Sequence, residues 1–284
     1  MSRIQEIVGA IKQIPPFPKV AQKVLQLIAD PDVSTRDLAE VIKYDPSVTA
    51  NVLKICNSAY FGLQRKISSL DEGLIFIGHD ILKDIIITSS STDFYKGNTG
   101  EGYQLEEGDL WKHSVAAGIM GKLLVRYVKG VEPGAAYTAA LLHDIGKLIL
   151  SRFVADDFNK IILKVTQENC SFVEAEKESL GITHAELGGL ILKQWEFSGD
   201  LIRAVAGHHD PDALSKEPLT ALVCLSNVLV ISLGIGVGAD GLATKLQGEV
   251  LRSFGISNAD LDLLMADLIG ELEKAQELLQ MLEG

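Results

Sequence analysis

Apolar residues recur at helical spacing along most of the chain. Val20, Val24 and Leu27, for example, share one face of a segment that runs from Val20 to Ala29. No segment of the N-terminal third shows the sustained alternation of apolar and polar residues that a half-buried strand requires. The pattern therefore predicts an all-α protein.

Breaks in this pattern divide the chain into segments. Asp45-Pro46 is typical of a helix start, with Asp45 as cap and Pro46 in the first turn, and Gly78 interrupts a helical stretch. The stretch 95–103, YKGNTGEGY, has three glycines and few apolar residues, which favours a domain boundary or an exposed connection. We therefore expect two helical lobes, residues 1–97 and residues 98–284.

The second lobe shows a series of helical segments. They are predicted at Leu105 to Tyr127, Ala135 to Phe153, Phe158 to Glu168, Phe172 to Leu180, His184 to Trp195, Leu201 to Gly207, Thr220 to Leu233, Leu246 to Phe254 and Asn258 to Leu282. The last of these carries an apolar stripe opposite acidic residues. That stripe either packs on the lobe or forms a homodimer contact.

One stretch combines apolar and ionisable residues in an unusual way. Tyr137 to Leu150, YTAALLHDIGKLIL, is apolar almost all the way round a helix, yet it contains His143, Asp144 and Lys147. A carboxylate buried without a partner costs several kcal/mol. Asp144 must therefore be paired with a cation or a metal, or accept hydrogen bonds from several donors. This predicts a buried helix with a functional pair on it.

The positions of the histidines strengthen this prediction. Of the six in the chain, only His79 lies in the N-terminal third, and it is interpreted as a core residue rather than a ligand. The others each lie in or beside a helical apolar segment: His113, His143, His184, His208 and His209. Imidazole and carboxylate are common ligands of Zn, Mn, Fe and Ni, and a site collected from several helices needs such wide spacing. The alternative is a vestigial polar cluster in the core.

Composition excludes several other classes of function. With 26 basic and 38 acidic residues the net charge is −12, which argues against a broad nucleic-acid surface. The three cysteines are isolated, as expected in a reducing compartment. The N-terminus is amphipathic and charged, unlike a signal peptide, and the weakly charged run Leu219 to Ala239 is interpreted as a core helix. We expect a cytoplasmic protein that binds neither nucleic acid nor membrane.

Longer phrases of the sequence resemble the HDOD family, a branch of the HD-domain superfamily of metal-dependent phosphohydrolases. They are IPPFPKVAQKVLQLIADPDVSTRDLAEVIKYDPSVTANVLKICNSAYFG, then ISSLDEGLIFIGHDILKDIII, and AALLHDIGKLIL in the second half. The resemblance implies an all-α protein whose C-terminal lobe is an HD-like helical bundle. It also implies a bacterial signalling output or scaffold module that acts through another signalling protein.

The resemblance also implies a ligand set. By similarity to the related HD-GYP phosphodiesterases, the metal ligands would be His113, the His143-Asp144 pair with Asp144 bridging, His184, and the His208-His209 pair. The implied cofactor is one or two divalent ions of Fe, Mn, Ni or Zn. Lys147 resembles the lysine that reaches substrate phosphate, although a plain surface ion pair is the alternative.

This chain departs from the HD-GYP pattern in two places. Where a distal aspartate is expected, the phrase LSNVL offers Asn227, which would be a neutral and weaker ligand. The Gly-Tyr-Pro segment that follows the histidine pair is also missing, because Asp210-Pro211 runs on without it. These departures argue against hydrolysis of cyclic-di-GMP.

Two functions from different classes remain. The favoured one is a signalling or scaffold module that retains a metal site. The alternative is a metal-dependent phosphohydrolase acting on a nucleotide or phosphodiester, in which Asp144 and Lys147 would be the catalytic residues. Glu186 and Asp200 are candidates for acceptors that orient the ligand histidines.

Overall fold

The computed structural model describes residues 3–30, 32–58, 61, 63, 65–95, 101–168, 170–243, 251–252 and 254–283. Across these ranges the regular secondary structure is helical and no strand is present. The predicted all-α class is confirmed. Each of the three cysteines is free.

Fourteen α-helices are present among the described residues. The first five are Arg3–Ala10 (α1), Lys19–Ile28 (α2), Thr35–Ile42 (α3), Pro46–Cys56 (α4) and Leu70–Tyr95 (α5). The next nine are Asp109–Leu124 (α6), Pro133–Leu142 (α7), Lys147–Glu168 (α8), Phe172–Leu180 (α9), His184–Gln194 (α10), Gly199–Gly207 (α11), Pro211–Lys216 (α12), Pro218–Ser232 (α13) and Asn258–Glu283 (α14).

These helices form two compact units, and each is discontinuous in sequence. The larger unit contains residues 1–15 and 94–268, and the smaller one contains residues 16–93 and 269–284. The first helix thus belongs with the C-terminal half of the chain. The boundary expected between residues 97 and 98 stays a prediction.

The smaller unit shows the local signals expected from its sequence. Asp45 caps α4, where its carboxylate accepts hydrogen bonds from the backbone N–H groups of Ser47 and Val48 at 3.0 and 3.1 Å. Helix α5 is kinked at Gly78, whose φ of 73° and ψ of 176° are rarely open to residues with a side chain. The predicted interruption at Gly78 therefore lies where the backbone leaves helical geometry.

In the larger unit, α6, α7 and α13 pack against one another. Their close approach depends on small residues: a Cβ at Gly121 of α6 would lie 3.0 Å from the carbonyl oxygen of Ala136 and from the Ala140 methyl of α7. Every residue from Ala136 to Leu142, and from Thr220 to Val230, is buried. Polar side chains on these helices therefore face other protein groups rather than bulk water.

The long helix expected from Ala135 to Phe153 is not continuous. Helix α7 ends at Leu142, residues 143–146 form a buried turn, and α8 begins at Lys147 and runs on to Glu168. The predicted helix Phe158 to Glu168 is therefore the second part of α8. Uniform hydrophobicity hid this break, because buried turns and buried helices share the same apolar composition.

The stretch 95–103 is not an exposed connection at its ends. Tyr95 is 5% exposed and Tyr103 is fully buried. The exposed alternative was wrong at these two residues because glycine was taken as a sign of exposure, and residues 96–100 lie outside the described part of the chain. A Cβ at Gly102 would overlap the carbonyl oxygen of Ser151, so this glycine permits close packing against α8.

The C-terminal segments are described only in part. The helix expected at Leu246 to Phe254 lies largely outside the described residues. Helix α14 buries Leu264 and Leu268 completely, which confirms that one face of it packs, whereas Leu263 is half exposed. Dimer formation through this helix stays a prediction. No described helix is both long enough and apolar enough to span a membrane.

Candidate metal centre

The His-Asp pair lies in the buried turn between α7 and α8. His143 and Asp144 are both fully buried. The turn lies against the start of α10, because a Cβ at Gly146 would overlap the carbonyl oxygen of His184. The absence of a side chain at position 146 thus lets the pair approach a third histidine.

Gly146→Ala is expected to lower the free energy of unfolding by about 1–3 kcal/mol, because the new methyl group forces the turn away from α10. Thermal and urea unfolding would measure the loss. Gly9→Ala is the matched control, since nothing lies within 4 Å of its added Cβ in α1. That variant should be neutral or slightly more stable. Equal stability of Gly146→Ala and wild type would contradict the close approach.

The remaining candidate ligand histidines lie on, or directly after, three separate helices. His113 lies in the middle of α6, and His184 is the first residue of α10, after the capping residue Thr183. His208 follows the last residue of α11 and is buried, and His209 beside it is half-buried. Two groups of three potential ligands result, each with its ligand atoms within 4.8 Å of one another: His113, His143 and Asp144, and His184, His208 and His209.

Asp144 lies between these two groups. Its Oδ2 is 3.3 Å from Nε2 of His143 and 3.7 Å from Nε2 of His113. Its Oδ1 is 3.3 Å from Nε2 of His184. One carboxylate thus presents an oxygen to each group, which is the arrangement expected of a bridging ligand.

The second nitrogen of each buried histidine fixes its tautomer. Backbone carbonyls and carboxylates accept hydrogen bonds, so a neutral ring facing one carries its proton on Nδ1 and leaves Nε2 as a lone pair. The Nδ1 atoms face Ile235 O for His113 at 3.0 Å, Ala140 O for His143 at 2.7 Å, Glu176 Oε2 for His184 at 3.0 Å, and Val205 O for His208 at 2.7 Å.

Four of the ligand atoms that face the centre of the cluster have no hydrogen-bond partner. Nε2 of His143, His184 and His208 and Oδ1 of Asp144 are buried and unsatisfied. Leaving four such atoms unpaired would be costly, and a divalent cation would satisfy them together. The imidazole and carboxylate set therefore fits a transition metal.

Burial keeps the inward histidines ready to bind. It lowers the pKa of His208 and His209 well below the ordinary value and that of His113 to about 4. His184 differs, because Glu176 outweighs the effect of burial and raises its pKa. Metal ligation requires a neutral imidazole. His113, His208 and His209 are already neutral at pH 7, so they can bind a metal without first losing a proton.

Asp144 is held in its charged form. Burial by itself would raise the pKa of this carboxyl, but His143 and Lys147 outweigh that effect and hold the pKa well below the usual range. Nζ of Lys147 is 2.6 Å from Oδ2 of Asp144. Asp144 is therefore an ionised carboxylate with one cationic partner and one unsatisfied oxygen.

Lys147 is not part of a surface ion pair. It is 4% exposed, and its Nζ also lies 2.6 Å from Oδ2 of Asp240, on the 3₁₀ turn Ala239–Ala243. The surface alternative from the sequence is therefore wrong. Asp240 was not anticipated, because nothing in its local sequence connects it to a lysine so far away.

Asn227 lies where the missing aspartate was expected to act. Its Oδ1 is 3.1 Å from Nε2 of His113. With the His113 proton on Nδ1, two acceptor atoms face each other. Either a cation lies between them or the amide turns so that its NH2 group donates to Nε2. The predicted register at position 227 thus places this side chain beside the first ligand group.

The acceptor that orients His184 is neither of the two suggested by the sequence. Glu186 pairs with Lys177, and its carboxylate also accepts from the backbone N–H of Thr183, whereas Asp200 pairs with Arg203 at the surface. Glu176 on α9, fully buried, instead lies 3.0 Å from Nδ1 of His184 through its Oε2. Its position eight residues before His184 gave no periodic signal.

His79 is half-buried in the smaller unit, and the ligand groups found among the described residues do not include it.

The geometry can now be compared with known proteins. The sequence model of the HDOD domain family matches residues 14–211, well over half of the chain. The chain belongs to the HDOD domain family. An uncharacterized protein of Treponema pallidum (strain Nichols) is 22% identical over an alignment of 236 residues, and the match covers 79% of this HDOD chain. The chain spans only 43% of that longer relative.

Solved structures share the fold of this HDOD chain. An HDOD domain protein of unknown function from Geobacter sulfurreducens is 25% identical, with a TM-score of 0.73 over 98% of this chain and 96% of that one. A protein from Marinobacter aquaeolei VT8, described as a candidate signal transduction protein, is 21% identical with a TM-score of 0.72. This second match covers 95% of the present chain and 59% of the other.

Proposed function

We propose that this chain is a signalling or scaffold module that binds a divalent transition metal through its His/Asp cluster and does not hydrolyse phosphodiesters. Membership in the HDOD family and the likeness to a candidate signal transduction protein support the class of function. The state of Lys147 is the single observation that carries the choice between signalling and catalysis.

Lys147 is fully engaged by protein carboxylates. Asp144 and Asp240 lie on its ammonium group at 2.6 Å each, and the side chain is 5% exposed. These two negative charges raise its pKa despite burial, so it stays protonated. A substrate phosphate would have to displace Asp240 in order to reach it. In a site prepared for turnover we would expect this cation to be free for the substrate.

The neutral side chain at position 227 also supports a signalling role over catalysis. Asn227 contributes no charge beside His113, so the group of His113, His143 and Asp144 has a single carboxylate. Lower ligand charge weakens the binding of a divalent ion. A weakly held ion at one position suits a structural or regulatory role better than catalysis by two metals.

A metal-dependent phosphohydrolase is the second candidate, and one observation favours it. The two ligand groups adjoin each other, because Asp144 of the first group also places Oδ1 3.3 Å from Nε2 of His184 in the second, as in sites that hold two ions. Divalent ions there would supply Lewis-acid activation of water and phosphate. In that case Asp144 would hold the ions and Lys147 would bind the phosphate after release from Asp240.

Metal loading combined with a hydrolysis assay separates the candidates. The protein would be reconstituted with Mn²⁺ or Fe²⁺, analysed for bound metal, and incubated with cyclic-di-GMP and with a chromogenic phosphodiester. We expect bound metal but no turnover. Hydrolysis by the metal-loaded sample at ~1 per second or faster would contradict the signalling role. Less than about a tenth of an equivalent of metal would contradict the metal site.

A further inference from the structure

Glu176 is a buried carboxylate that belongs to neither ligand group. It lies on α9 and is fully buried. Three donors converge on it: the backbone N–H of His184 at 2.7 Å and its Nδ1 at 3.0 Å contact Oε2, and the Tyr103 hydroxyl contacts Oε1 at 2.5 Å. Such a carboxylate is costly to bury, so its position calls for an explanation beyond packing.

The contact with His184 differs from those of the other ligand histidines. His113, His143 and His208 each place Nδ1 against a backbone carbonyl, whereas His184 places it against a carboxylate. A carboxylate is the stronger acceptor, so it increases electron density on the ring and makes the opposite nitrogen a better ligand. Glu176 also holds the backbone of His184 and thereby fixes both ends of the residue.

Tyr103 in turn holds Glu176. It is fully buried at the end of the 3₁₀ turn Glu101–Tyr103, which is joined to α8 by a 3.1 Å hydrogen bond from the Gly102 N–H to Ser151 Oγ. Nζ of Lys147 lies 5.3 Å from the centroid of its ring, within cation–π distance. One tyrosine therefore contacts both the acceptor of His184 and the lysine beside Asp144.

We infer that Glu176 is a positioning residue that fixes the orientation and tautomer of His184 for metal ligation, and that Tyr103 locks Glu176 in this role. The inference rests on the metal binding proposed above. The carboxylate accepts the proton on Nδ1 of His184 and thereby holds Nε2 on the side of the ring that faces His208 and His209, where it can bind a metal. The phenol hydroxyl satisfies the oxygen that His184 leaves unused, which prevents rotation of the carboxylate.

Mn²⁺ titration of the full chain tests this role with three variants. Glu176→Gln keeps the shape and removes the charge, and we expect about a 10- to 100-fold loss of Mn²⁺ affinity. Tyr103→Phe removes only the hydroxyl and should give a smaller loss in the same direction. Glu178→Gln, an exposed acid on the same helix that pairs with Lys164, is the control and should bind like wild type. Tyr103→Phe keeps the test decisive if Glu176→Gln does not fold.

A second readout follows the histidine itself. In the metal-free protein at a mildly alkaline pH, where the imidazole is neutral, ¹⁵N NMR should show His184 protonated on Nδ1, and Glu176→Gln should reduce that preference. Wild-type and Glu176→Gln proteins with equal Mn²⁺ affinity and equal His184 tautomer would overturn the positioning role. Failure of wild type to bind Mn²⁺ would instead overturn the metal site on which the inference rests.

Discussion

Asp144→Asn is expected to abolish metal binding and to make the melting temperature insensitive to chelator. Asp144 places one oxygen near each ligand group, so its charge is lost from both at once. In wild type, metal at a thousand times its dissociation constant would add about 4 kcal/mol to the free energy of unfolding. Chelator should remove that contribution from wild type and change nothing in the variant.

The same substitution should also weaken the metal-free protein. Asp144 is paired with Lys147 at 2.6 Å in the core, and breaking a buried pair from one side costs about 3–5 kcal/mol. Asp240 stays on Lys147, so the lower end of this range is expected. Asp144 is paired with Lys147 whether or not metal is bound, so loss of its charge is not expected to stabilise the protein even in a metal-free cluster.

Thermal unfolding and metal analysis of each protein, with and without chelator, measure both effects. Asp200→Asn is a suitable control, since Asp200 is an exposed acid paired with Arg203. It should keep its metal and its chelator response. Two results together would show that the cluster is a polar relic. Wild type would contain no metal after purification and attempted reloading, and chelator would leave its melting temperature unchanged.

Asn227→Asp is expected to raise metal affinity by about 10- to 100-fold, the range over which a single ligand or its support changes affinity. The new carboxylate would face Nε2 of His113, where the amide oxygen now lies 3.1 Å away. It would add a second negative charge to the group of His113, His143 and Asp144, in which Asp144 is now the single carboxylate. Competition with a coloured chelator would measure the affinity for Mn²⁺ or Zn²⁺.

The metal-free form of this variant should lose stability, because a second carboxylate is then buried near Asp144 without a cation of its own. A larger chelator effect on the melting temperature than in wild type is therefore expected. Ser226→Ala is the matched control: Ser226 is also buried in α13, but its hydroxyl donates to the carbonyl of Leu222. Unchanged affinity in Asn227→Asp would show that position 227 is not a ligand position.

The sequence was informative about the ligands because their chemistry conflicts with their surroundings. Histidines and an aspartate in apolar helical segments need partners wherever they lie, and the sequence alone could therefore name the six candidate ligands: His113, His143, Asp144, His184, His208 and His209. The structure places them in two adjoining groups. The break at the His-Asp pair could not be predicted, since an apolar pattern records burial and does not distinguish a helix from a buried turn.

Side chains that support the ligands were beyond prediction from the sequence. Glu176 and Asp240 are two acids among 38 acidic residues, and neither has a spacing that links it to His184 or Lys147. Glu186 lies two residues from His184, and Asp200 is as far from His208 as Glu176 is from His184, yet Glu186 and Asp200 form ion pairs with Lys177 and Arg203 instead. Proximity in sequence is a poor guide where partners come from different helices.

By itself, the sequence determined the helical class, the helix starts with capping signals and the composition of the ligand set. These follow from local propensity and from the cost of burying polar groups, which depend on residue type and spacing alone. Only the tertiary structure decided that Asp144 lies between two ligand groups and that Lys147 is held by Asp240. Those facts depend on how α6, α8, α10 and α11 approach one another, and such long-range distances leave no periodic trace in the chain.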